Sequence, residues 1–227
     1  MPFRFNRADV RLPPAQLNHM EVSLSFFETH VDGSATLTLT AREPLVSLEL
    51  DACDLDIFEV MLPDMQSACR FTIDAARRKL VLHLPRSLAA GETFRVKARC
   101  RCTPSDMLLE GIYRDVTPTG APQQYMSQCQ QWGFQRILPV IDDCTAKCTL
   151  RTTLEGDARY THLISNGDID RSTNPEGRPV PKPGDPSRQV ITFVNKVPMA
   201  PYLFIACAGT WDVLADEVRY PDGRRIA

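Results

Sequence analysis

No run of this sequence is apolar for long enough to cross a bilayer as a helix. The longest, such as residues 202–208, fall far short of the roughly 20 residues a spanning helix needs. Met1-Pro2-Phe3-Arg4 opens without the apolar core of a secretion signal. The default expectation is a cytoplasmic protein with no membrane partner. An excess of one charge is missing too: the net charge of −2 gives no broad pull toward nucleic acid or acidic lipid, so partners must be recognised locally. Helix-period patterns are almost absent, and there is no repeat at a solenoid spacing, no glycine-rich phosphate loop and no heptad run. These absences exclude a helical array, a phosphate-loop nucleotide enzyme and a coiled coil.

What is present is ordinary for a folded domain. The 227 residues, 43% hydrophobic and 24% charged, suffice for one large core. The eight cysteines are scattered in a chain large enough to stabilise itself without disulfides, and are read as buried reduced thiols. Cys100-x-Cys102 and Cys144-x3-Cys148 lack the two-residue spacing and neighbouring histidine of a structural zinc site.

Strand patterns fill the chain. Residues 20–26 and 35–40 alternate apolar with polar across a Val-Asp-Gly-Ser connection, which predicts a hairpin. Residues 45–50 and 55–62 repeat the pattern around Asp51 and Asp54, and 71–73 with 80–84 predict another hairpin. From 93 to 102 the alternation is cleanest: Phe94, Val96, Ala98, Cys100 and Cys102 face one side and Arg95, Lys97, Arg99 and Arg101 the other. That cationic stripe reads as a solvated sheet face rather than a nucleic-acid site. Asn166-Gly167-Asp168 closes a short strand, the five prolines of 171–188 read as a long exposed loop, 202–208 as a central strand, and 211–220 as a strand entering a Pro-Asp-Gly-Arg turn. An unpaired strand edge at that point implies that the chain is an N-terminal piece of something longer. The fold class is mostly β: twisted antiparallel sheets packed as a sandwich.

One stretch does not read as ordinary core. Residues 125–142 run Tyr-Met-Ser-Gln-Cys-Gln-Gln-Trp-Gly-Phe-Gln-Arg-Ile-Leu-Pro-Val-Ile-Asp, with no purely apolar face in the first half. On a strand, Gln128 and Gln130 would point to the same side and could bind one polar ligand together. A pair of surface glutamines without a ligand is the competing reading.

Leu109-Glu110-Gly111-Ile112-Tyr113, Ser127-Gln128-Cys129-Gln130, and Gly133-Phe134-Gln135-Arg136-Ile137-Leu138-Pro139 with Asp142 together resemble the amino-terminal domain of the aminopeptidase N family of zinc metallopeptidases. The order continues with Leu163-Ile164-Ser165-Asn166-Gly167 and with Lys196-Val197-Pro198 leading to Pro201-Tyr202-Leu203-Phe204, so the motifs span about half the chain. The resemblance implies a large twisted β domain over 1–213, with 214–227 starting the connection to a catalytic domain, its own partner in the parent protein. It implies that Gln128 and Gln130 hold the α-amine of peptide substrates. An ammonium group carries three donors and no acceptor, which suits converging side-chain oxygens. Gln130 stands where bacterial members usually have Glu, and Ser-Gln-Cys-Gln is similar to the leukotriene hydrolase branch. That departure removes a charge-assisted bond. It also raises an epoxide hydrolase side activity, on one residue alone.

The family's zinc motif, His-Glu-x-x-His, and its Gly-x-Met-Glu-Asn motif are absent from these residues. His19, His30, His83 and His162 lie far apart. The resemblance therefore implies zinc in the parent, with its ligands outside this chain, and no catalysis by the chain alone. The alternative from another class is a binding or scaffolding module that keeps the fold without the chemistry.

Overall fold

The computed structural model describes residues 10–226. The chain opens with β1 (Ala15–Phe26), β2 (Val31–Ala41), β3 (Leu45–Asp51), β4 (Leu55–Leu62), β5 (Ser67–Ala68), β6 (Arg70–Asp74), β7 (Lys79–Leu88) and β8 (Thr93–Cys102). Then follow β9 (Gly111–Arg114), β10 (Tyr125–Gln128), β11 (Cys148–Asp157), β12 (His162–Ser165) and β13 (Asp168–Ile169). The last are β14 (Val180–Lys182), β15 (Asp185–Met199), β16 (Ala206–Gly209), β17 (Val218–Arg219) and β18 (Arg225–Ile226).

Three main sheets result. The largest has nine strands, ordered β13-β15-β11-β1-β2-β8-β4-β5 with β14 also on β15; a four-stranded sheet runs β12-β16-β10-β9, and a three-stranded one β3-β7-β6. β17 and β18 form a separate two-stranded ladder. Strict alternation builds the large sheet: β2 is buried at every second residue from Val31 to Ala41. β8 buries Phe94, Val96, Ala98, Cys100 and Cys102 on one face, as the pattern predicts. The period-two geometry of a strand requires this when one face meets a core and the other meets water. Its cationic face is tied down by carboxylates: Arg95 to Asp64 at 2.7 Å, Arg101 to Asp32 at 2.6 Å and Arg99 to Glu59 at 3.6 Å.

Several expectations need correction. The first hairpin exists, but residues 31–34 lie within β2, and Phe26 pairs with Val31 around a turn at 27–30. β3 and β4 are not partners: β3 pairs with β7 and β4 with β8, so the chain changes sheet at 52–54, where Asp54 has φ of 53°. Alternation reveals which face is buried but not which strand lies alongside. The segment 171–188 is not all loop, because β14 and the start of β15 form a hairpin that turns within it, pairing Lys182 with Asp185 and, past its end, Val180 with Val190. Proline is tolerated there because β14 is an edge strand, where a missing N–H costs no ladder bond. The strand in 202–208 begins later than its apolar run, after a 3-10 turn at Pro201–Leu203. Between 211 and 220 only Val218–Arg219 is strand. All eight cysteines are free, and Cys144 is exposed rather than buried.

Tyr125 ties β10 to the β1–β2 turn. Its ring stacks on Phe26 at 5.7 Å, and its hydroxyl lies 2.8 Å from the carbonyl of Phe27 and 2.6 Å from that of Glu28. Tyr125→Phe should cost about 1 kcal/mol, because two carbonyls lose a donor while the packing stays. Urea unfolding of the two proteins measures this.

Candidate functional site

The stretch 125–142 is where the three sheets meet. It starts as β10 in the four-stranded sheet. It turns through a 3-10 segment at Phe134–Arg136, then lays Leu138 against Gly33 of β2, and finally bridges Val140 to Asp51 of β3. Phe134, Ile137, Leu138 and Val140 are fully buried, and Phe134 meets Phe204 edge-on at 4.9 Å. Such a junction holds its exposed turn rigidly, because each end of the turn is packed into a different layer.

Gln128 is the last residue of β10, and the strand stops there. Gln130 therefore lies in the following turn, so the same-side argument of a continuous strand does not apply to it. Both side chains are exposed, and neither bonds to another described residue. The amides are thus on the surface and uncommitted.

Glycine makes this turn possible. A Cβ at Gly133 would stand 2.3 Å from the carbonyl oxygen of Gln128 and 2.9 Å from the backbone nitrogen of Gly111. Gly111 has φ of +73°, and a Cβ there would come 2.7 Å from that of Arg136. The N–H of Gly133 donates to the Cys129 carbonyl at 2.8 Å, closing the turn. Side chains brace it: Gln135 Nε2 donates to the Trp132 carbonyl at 2.8 Å, Arg136 Nε to Glu110 Oε2 at 2.7 Å, and Arg136 Nη1 to Asp54. In the sequence, Glu110, Gly111, Gly133 and Arg136 carry the resemblance, but their mutual contacts could not be read from spacing. Asp54, on the chain from β3 to β4, left no signal as a partner of Arg136.

Cys129, between the two glutamines, is 1% exposed. Burial pushes its thiol far above the usual range, which leaves it neutral and a poor nucleophile. Asp142 is the unusual carboxylate. It is 5% exposed and accepts the backbone N–H of Gln135 at 3.1 Å, while its own N–H donates to Asp51 Oδ2 at 3.0 Å. Burial pushes its pKa up to about 7, opposed by the Gln135 bond and reinforced by the charges of Asp51 and Asp143.

Among the described residues no three His, Cys, Asp or Glu side chains converge in a way that would hold a metal. No helix among the described residues is long and apolar enough to cross a membrane.

Three sheets joined through one exposed, braced turn define a single β domain. Residues 15–203 match the Peptidase M1 N-terminal domain, and the chain belongs to that family. Aminopeptidase N of Caulobacter vibrioides is 25% identical over 234 residues, covering 100% of this chain and 24% of that protein. The M1 zinc metallopeptidase of Deinococcus radiodurans superposes with a TM-score of 0.74 at 21% identity, over 91% of this chain and 45% of its own. A mutant of that enzyme bound to a Tyr-Ser-Ala substrate aligns with the same score over 93% of this chain. The chain thus spans about a quarter of the curated relative and less than half of the solved structures.

Proposed function

We propose that this chain is the N-terminal β domain of a cytoplasmic zinc-dependent aminopeptidase, packing on a catalytic domain and presenting Gln128 and Gln130 to the α-amine of peptide substrates. In this reading residues 1–213 form the domain and 214–227 lead toward the catalytic part, which carries the zinc ligands. The observation that carries it is the pair of exposed, unbonded amides, Gln128 at the end of β10 and Gln130 in the turn after it, where the chain is braced from three sheets. A backbone held in place sets where the two amides start from, and their oxygens are free to converge on an ammonium group, which is what positioning a substrate for single-residue cleavage requires.

The surface around the turn supports a docked neighbour. Gln128 shares the outer face of the four-stranded sheet with Met126, with Tyr113, which pairs across the strands with Met126, and with Ile164, which is 42% exposed. Leu203 and Ile205 beside them are 49% and 44% exposed. Apolar side chains grouped in this way mark contact surfaces.

In the parent enzyme, Gln128→Ala and Gln130→Ala should each lower kcat/KM for amino-acid amides about tenfold or more, the weight of a hydrogen bond to a charged group. Wild-type kinetics in both variants would refute the amine-binding role. A His-Glu-x-x-His motif encoded downstream supports the enzyme over a free-standing binding module, and its absence supports the module.

A further inference from the structure

A chain of hydrogen bonds runs from Asp142 to the backbone of Gln130, and Gln135 is its middle link. The Gln135 N–H donates to Asp142 Oδ2 at 3.1 Å, and its side-chain Nε2 donates to the Trp132 carbonyl at 2.8 Å. That carbonyl belongs to the same planar peptide unit as the Gly133 N–H. The Gly133 N–H in turn donates to the Cys129 carbonyl at 2.8 Å, which shares its peptide unit with the Gln130 nitrogen. Gln135 is buried and is pinned from a third side, where its own carbonyl accepts the Cys53 N–H at 2.9 Å. At its far end the chain is anchored in the three-stranded sheet: the Asp142 N–H donates to Asp51 Oδ2 at 3.0 Å, and Lys79 reaches Asp51 Oδ1 at 2.6 Å.

The charges around Asp142 favour one direction. Asp51 of β3 and Asp143, next along the chain, face it with like charge, and the Cys129 thiol is held neutral by burial. Lys79 is engaged with Asp51, and Arg136 with Glu110 and Asp54, so among the described residues no cation bonds to Asp142. When the carboxyl ionises, it is repelled from the Asp51 side, and the bond it accepts from the Gln135 N–H becomes charge-assisted, about twice as strong as the neutral one. Burial sets that change at about pH 7.

We propose that Asp142 is a positioning residue for the amine site: through Gln135 its carboxyl sets how firmly the turn bearing Gln130 is held, and the ionised form holds it the more firmly. This rests on the amine-binding reading of Gln128 and Gln130. Amine binding in the parent enzyme therefore strengthens as Asp142 loses its proton, although the domain as a whole is less stable in that state. The two effects differ in sign because burying the charge weakens the folded domain while the same charge tightens one bond within it.

Proton–nitrogen NMR of the present chain and kinetics of the parent enzyme test this together. The backbone amides of Gln135 and Gly133 should titrate in step near pH 7, and Asp142→Asn should abolish both transitions. Gln135→Ala keeps the backbone bond to Asp142 but drops the one to the Trp132 carbonyl, so residue 135 should still titrate and Gly133 should not. In the parent enzyme, the ratio of kcat/KM for an amino-acid amide, wild type over Asp142→Asn, should rise about threefold from pH 6 to pH 8, as a neutral bond gives way to a charge-assisted one. A merely structural role would lower that ratio, since the wild-type domain loses stability over the same interval. Titration of Gln135 with Gly133 unmoved, or a flat or falling ratio while Gln128→Ala still lowers kcat/KM, overturns the proposal. A flat ratio with Gln128→Ala and Gln130→Ala also silent overturns the amine reading instead, and joint titration of Gln135 and Gly133 would then leave Asp142 holding the turn alone.

Discussion

Replacing Gly133 by alanine should destabilise the domain by about 3 kcal/mol, near the upper end for a substitution that over-packs a fixed site. The added methyl group would meet the Gln128 carbonyl oxygen at 2.3 Å, the Cys129 Cα at 2.9 Å and the Gly111 nitrogen at 2.9 Å. All three are backbone atoms, so no side chain can swing aside. Relief requires β10 and β9 to part, or the turn to lift away from the Phe134–Arg136 segment. Either movement displaces Gln128. For a domain of this size the loss corresponds to roughly 6–12 °C in Tm, read by calorimetry. In the parent enzyme the same variant should also lower kcat/KM, since the amides would no longer be held in place. A Tm within 2 °C of wild type, about the shift from 1 kcal/mol or less, would mean that the turn is looser than its contacts imply.

The second large effect is a dependence of stability on pH set by Asp142. Its pKa is raised to about 7 in the folded chain, against about 3.9 when unfolded. The folded state therefore holds a proton that the unfolded state has released between those values, so stability falls as pH rises across that window. The contribution is fully present below about pH 4 and lost as pH passes through about 7, on the order of 4 kcal/mol in all. Paired carboxylates work in the opposite sense and at lower pH. Arg101 holds Asp32 below its ordinary value, and Ser172 and Arg151 bring Asp170 down to about 2. The comparison that isolates the effect is Asp142→Asn. Urea unfolding at pH 5 and pH 8 should give a wild-type chain clearly less stable at the higher pH and a variant with most of that difference removed. Equal slopes for both proteins would place the titration elsewhere.

How far the sequence revealed this molecule differs from element to element. β8 was legible to the residue because arginine and lysine alternate with apolar side chains, and nothing else in the chain competes with that signal. The turn at Gly167, with φ of +91°, was legible because Asn-Gly favours a left-handed backbone. Pairing was less so. Nothing local tells Leu48 that it lies beside Leu82, or Asp51 that Val140 will reach it. At the candidate site the types of residue were legible and the path of the chain was not. Gln130 leaves the strand because Gly133 folds back onto Gln128, an interaction between residues that no alternation pattern encodes. The contact of Arg136 with Asp54 spans more than eighty positions.

β1 sits at the middle of the nine-stranded sheet, paired on one side with β2 and on the other, in parallel, with β11, so that Ser25 lies beside Glu155. The first partner arrives within a few residues, and the second only after about 130 more have been made. Closing so distant a pair is slow compared with a hairpin. A nascent chain leaving the ribosome would therefore carry a finished β1–β2–β8 ribbon with one long open side until residue 157 emerges. During that interval the exposed side of β1 is a template for other chains, and synthesis pausing before β11 should favour aggregation over folding.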